Sequence, residues 1–200
     1  MDQHFGTHSY SLWHLFKDEQ RKVLAQVLGS AMKEAESAFR QIYDHHFPAL
    51  QVINEIGHPL PRPLASTVEF VLNTDFHMAL EQDADLARME RLGAEIKRWA
   101  VKLDKRTLSF AASGRLNEIF VRIDKNPEDV EAFEQADAFI RLMRDVGIPL
   151  NAWKAQNIHF ALGRGLGGQM QERLSAGDER ASRWLKAYEA LGASLQSGGL

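Results

Sequence analysis

The chain has 200 residues, 44% of them hydrophobic and 26% charged, enough for one globular domain with a substantial core. A formal charge of -3 offers no electrostatic case for binding nucleic acid, and no run of lysine and arginine suggests a local basic patch. The absence of cysteine excludes disulfides and thiolate chemistry and suits a reducing, cytoplasmic setting.

The N-terminal run from His4 to Val23 is chemically the most varied part of the chain, with three histidines, Tyr10, Trp13 and a mixed-sign cluster from Lys17 to Lys22. Gly6 and the Thr7, Ser9 and Ser11 hydroxyls favour a loop over its first part. His4 and His8 are therefore weak metal candidates, and no glutamate lies between them to complete a zinc-protease pattern. The Lys17–Lys22 cluster reads as a solvated helix face. No basic stretch leads into an apolar one, so no signal peptide is expected, and no apolar run is long enough to cross a bilayer.

From Leu12 to Phe47 apolar residues recur at helical spacing. The pattern predicts one long helix, or two with a break near Gly29-Ser30, and then a short one from Ala49 to Ile56 after Pro48. Gly57-His-Pro-Leu-Pro-Arg-Pro63 interrupts helical structure, because proline lacks the donor that a helix interior needs. The flanking helices are apolar enough to pack together, so a single domain spanning residues 1–200 is expected despite this break. Helices follow over Leu64–Glu81, from an Asp85 cap to about Leu103, and over Lys105–Asp124. Asn126-Pro127-Glu128-Asp129 has the composition of a helix start, and Gly147-Ile148-Pro149 that of a stop. Asn151 can cap a helix to about Leu162. Gly163, Gly165, Gly167 and Gly168 read as a flexible connection, and Asp178 opens the last helix. With no alternating strand pattern, the expected fold is all-α, a compact bundle of about eight helices with no sheet.

Few residues stand out chemically. The glycine cluster lacks the preceding strand and the Gly-Lys-Ser/Thr of a phosphate-binding loop. Asp75, set among apolar neighbours, reads as a buried hydrogen-bonding residue or a site residue. Trp99 and Trp184 fall on apolar stripes and are expected in the core. Trp13 and Trp153 sit instead among polar residues, in Ser-Leu-Trp13-His14 and Asn151-Ala-Trp153-Lys-Ala-Gln156-Asn157, a setting that suits sugar stacking or a domain interface.

The segments His4–Val23, Glu69-Phe-Val-Leu-Asn-Thr-Asp75 and Asn151–Asn157 together resemble the helical C-terminal domain, of unknown function, of glycoside hydrolase family 57-like proteins of the α-amylase and α-mannosidase type. The resemblance implies a preceding catalytic (β/α) barrel that carries the nucleophile and the acid/base, so this chain is expected to be non-catalytic and part of a larger protein. It further implies that Trp13, His14, Asp75, Trp153, Gln156 and Asn157 meet the barrel or a glycan, an α-glucan or a mannoside. No cofactor and no membrane partner is expected. The alternative is a self-standing protein-interaction module.

Overall fold

The computed structural model describes residues 17–82 and 85–197. These residues form seven helices and no strand, and the chain divides into two units between Leu60 and Pro61, inside the proline-rich break. No described helix is long and apolar enough to cross a membrane.

The first unit is built on one helix, α1 (Lys17–Glu55), which runs unbroken through Gly29 and Pro48. Of the two alternatives, the single long helix holds and there is no break at Gly29-Ser30; the separate helix expected after Pro48 is absent, because α1 runs on through it. Proline removes one intrahelical donor, and the ladder on either side of it carries the helix onward. His45 and His46 stand inside this helix, with rings 4.8 Å apart and edge-on.

The second unit holds six helices: α2 (Arg62–Glu81), α3 (Leu86–Arg98), α4 (Lys105–Lys125), α5 (Val130–Val146), α6 (Trp153–Ser175) and α7 (Glu179–Ser197). The α4 and α5 helices run through the middle. Around them, α2 packs on α3 and α4, α3 on α5, α6 on α4 and α7, and α7 on α5. The core contains Phe76, Phe120, Phe133, Phe139 and Trp184, each no more than 1% exposed, with Leu72, Leu108, Leu116 and Met143 between them. Burying one such side chain contributes about 1.5–3 kcal/mol.

Helix ends follow local chemistry. Asp85, Asp104 and Asp129 accept hydrogen bonds from the backbone N–H groups of Arg88, Thr107 and Ala132. The α5 cap is thus Asp129, whereas Asn126 closes α4, which extends one residue past its expected end at Asp124. Gly147, in the left-handed region at φ 76°, closes α5, and the Ile148 N–H returns to the Met143 carbonyl at 2.9 Å. The same reversal ends α3 at Ala100, φ 48°, well before the expected end near Leu103. Beyond it, Asn73 on α2 secures the chain, accepting from the Asp104 N–H at 2.7 Å and donating to the Lys102 carbonyl at 3.1 Å.

Candidate functional site

The α6 helix carries three of the sequence-derived candidates, Trp153, Gln156 and Asn157. Ser109 on α4 donates to the Pro149 carbonyl at 2.7 Å, and the Asn151 N–H donates to the Ser113 hydroxyl at 2.9 Å. These two bonds fix the loop from which α6 starts. The Asn151 side chain then accepts from the Trp153 N–H at 3.3 Å, satisfying one of the donors that a helix start leaves open. Helix continues from there to Ser175, straight through the four glycines expected to form a flexible connection. Tertiary packing overrides their poor propensity, because Ala155, Leu162 and Met170 bury the inner face of α6 on both sides of the cluster.

Gly163 has a packing reason. A β-carbon there would collide with the Tyr188 hydroxyl. Tyr188 belongs to a column of rings between α6 and α7. Its ring stacks on His159 at 4.0 Å and 7°, and on Trp184 at 5.1 Å and 9°, and Trp184 meets Phe133 edge-on at 5.7 Å. Gly192 makes room for the other end, since a β-carbon there would stand 2.9 Å from His159 Cε1. By contrast, a β-carbon at Gly165, Gly167 or Gly168 would meet none of the described residues within 4 Å.

On the opposite side of α6, Trp153, Asn157, Phe160 and Arg164 recur at spacings of four and three and form one outward ridge. Trp153 is 72% exposed and Phe160 65%, and the Arg164 guanidinium lies 5.9 Å from the Phe160 ring centre. From Trp153 to Phe160 the ridge rises about 10 Å along the axis. Phe110, 86% exposed, lies on α4 between the two serines that hold the α6 start.

The sequence-derived residues separate accordingly. Trp153 and Asn157 share the ridge. Gln156 turns away and donates to the Leu195 carbonyl at 3.0 Å, tying α6 to α7. Asp75 lies half-buried on α2, whose helical neighbours are α3 and α4. Trp13, His14, His4 and His8 lie outside the described residues. Among the described residues, no three His, Cys, Asp or Glu side chains group to hold a metal.

Comparison with known protein families, curated proteins and solved structures gave no match.

Sequence reasoning did not single out Phe160 or Phe110. Both were readable: Phe160 falls two turns after Trp153, and Phe110 lies off the apolar stripe that runs through Leu108 and Ala112. The Gly163–Gly168 cluster hid the first by suggesting that the helix ends close behind it.

Away from the ridge, a concavity of about 410 Å³ lies where the turn before α5 meets the end of α6 and the start of α7. Arg173 crosses it, binding Glu128 at 3.1 Å and Asp178 at 2.9 Å. The bond to Glu128, followed by that to Asp178, raises the Arg173 pKa. The Arg173 bond in turn is the main cause that lowers the pKa of Asp178, which also caps α7. This cluster fastens three segments of the second unit together.

Proposed function

We propose that this chain is a non-catalytic helical module that packs on a catalytic (β/α) barrel and helps to wall a carbohydrate cleft. The resemblance to the helical domain of glycoside hydrolase family 57-like proteins implies this role. The observation that supports it is the outward face of α6. The ridge at Trp153, Asn157, Phe160 and Arg164 presents rings and hydrogen-bonding groups to solvent, the composition of a sugar-contacting wall. Farther along the same helix, a β-carbon at Gly165, Gly167 or Gly168 would meet nothing within 4 Å among the described residues. Glycine in a helix interior costs about 0.5–1 kcal/mol relative to alanine. In the proposed role, the barrel approaches this bare stretch of backbone closely.

Two measurements test the reading. The purified chain is expected to hydrolyse neither α-glucans nor mannosides, and turnover lost on Asp75→Asn would overturn the non-catalytic assignment. A catalytic barrel of the same parent protein, produced separately, is expected to associate with the chain, and its failure to associate would contradict the docking role.

One observation favours the alternative, a protein-interaction module that stands by itself. On α1, Leu24, Val27, Leu28 and Met32 are each more than half exposed, at 51%, 61%, 54% and 57%. Apolar groups at that density on one helix mark a contact surface. Association with an unrelated protein through Leu24 and Leu28, in the absence of any barrel, would favour that reading.

A further inference from the structure

We infer that the chain pairs with a second copy of itself through α1, the two helices running antiparallel along the line Leu24, Leu28, Ala31, Ala35, Ala38 and Ile42. The inference goes beyond both functional readings and depends on neither.

This line is a heptad seam. Its members alternate spacings of four and three, and the spacing continues through His45 and Ala49 to Val52, about four heptads on one unbroken helix. A stripe of that period is what two helices need in order to wind around each other. Leu24, Leu28, Ile42 and Val52 are exposed, as are Ala31 and Ala38, while Ala35 is half-buried. Tyr43 and Leu50, the residues that α1 buries, lie off this line.

The sizes along the seam select a second copy and set its direction. A parallel partner would put Ala31, Ala35 and Ala38 each against itself, three thin layers in a row between Leu28 and Ile42. An antiparallel partner, related by a two-fold axis beside Lys33, sets Leu24 against Ile42, Leu28 against Ala38 and Ala31 against Ala35. Large side chains then face smaller ones, which fills the layers evenly. The pairing is its own inverse, so it closes as a dimer and does not grow into a filament.

The contact area reaches what a dimer needs. In this register the helices overlap from Lys17 to Ala49, about 48 Å of a cylinder about 10 Å wide. The pair then buries about 1,000 Å², the least that a specific interface requires. An area at that threshold sets a dissociation constant of about 1–100 μM.

The register also makes an unfavourable contact. Glu34 lies at the edge of the seam next to the axis and faces Glu34 of the second copy, so like charges oppose there. A parallel pairing would not bring them together.

The test is sedimentation velocity of the full chain over a range of concentrations, with helicity checked by circular dichroism. A monomer–dimer equilibrium in the stated range is expected. Leu24→Glu and Leu28→Glu should each weaken it by more than about tenfold. Lys33→Glu, on the far side of α1, should leave it unchanged. A mixture of the native chain with Glu34→Lys should associate up to about fivefold more tightly than the native chain alone. A chain that stays monomeric up to about 1 mM would overturn the inference, whether or not the seam proves to bind a barrel or another protein. Dimers indifferent to Leu24→Glu and Leu28→Glu, or equally weakened by Lys33→Glu, would overturn the seam. No gain on mixing with Glu34→Lys would overturn the antiparallel register.

Discussion

The rings of His159 and Tyr188 lie 4.0 Å apart and within 7° of parallel, and each side chain bonds the other residue's backbone carbonyl. His159 Nε2 stands 2.9 Å from the Tyr188 carbonyl and the Tyr188 hydroxyl 3.2 Å from that of His159. A carbonyl oxygen only accepts, so Nε2 carries the proton and Nδ1 does not in the neutral ring. This reciprocal pair holds α6 against α7, and so sets the direction in which the ridge on the far side of α6 faces.

The glycines of α6 are expected to respond in opposite directions. Gly163→Ala drives a methyl group into the Tyr188 hydroxyl and should lower stability by about 1–3 kcal/mol. Gly165→Ala, Gly167→Ala and Gly168→Ala meet open space and should each raise it by about 0.5–1 kcal/mol. Urea denaturation measures all four. The double variant Gly163→Ala with Tyr188→Phe should recover part of the loss, because the colliding oxygen is gone. A neutral or stabilising Gly163→Ala would show that the stack is not packed as described.

Stability should depend on pH through His159. Burial lowers its pKa, against a smaller raising effect from the bond to the Tyr188 carbonyl. Below about 6.5, the ordinary imidazole value, the unfolded chain therefore binds more protons at this position than the folded chain. The contribution is complete above that pH and is lost as the pH falls toward the lowered folded value. His159→Gln keeps a donor for the Tyr188 carbonyl and removes the titration. The difference between the two proteins in denaturation midpoint should therefore change across this window, and a constant difference would rule out the effect.

Asn73 should matter more for stability than its exposure suggests. Asn73→Ala removes three side-chain bonds, to the Glu69 and Lys102 carbonyls and from the Asp104 N–H. The expected loss is about 1–3 kcal/mol by thermal unfolding, since the partner groups are left short of hydrogen bonds. At the other end of the same loop, Ala100→Gly relieves a left-handed residue that carries a β-carbon and should stabilise by about 0.5–1 kcal/mol. Loss of stability in that variant would contradict the assigned backbone conformation.

Much of the fold was legible where local chemistry decides it. The apolar stripes of α2, α4 and α5, the Asp85 cap and the Gly147 stop act within a turn or two of chain. What was not legible depended on partners distant in sequence. Gly163 reads as a helix breaker until Tyr188 is placed beside it, and Pro48 reads as a helix start until the ladder around it is seen to continue. The same division runs through the candidate site. Trp153 and Asn157 stood out because an aromatic ring among polar residues is locally unusual. Gln156 looked equivalent to Asn157, and only the Leu195 carbonyl on α7 separates a structural anchor from an exposed contact.

The measurement that bears most directly on the proposed role is hydroxyl-radical footprinting of Trp153 and Phe160, on this chain alone and in complex with the catalytic barrel. Alone, both rings should oxidise readily, as 72% and 65% exposure requires. In the complex their oxidation should fall, and it should fall further when an oligosaccharide fills the cleft. A complex that forms while both rings oxidise as fast as in the isolated chain would contradict the placement of this ridge at the carbohydrate cleft.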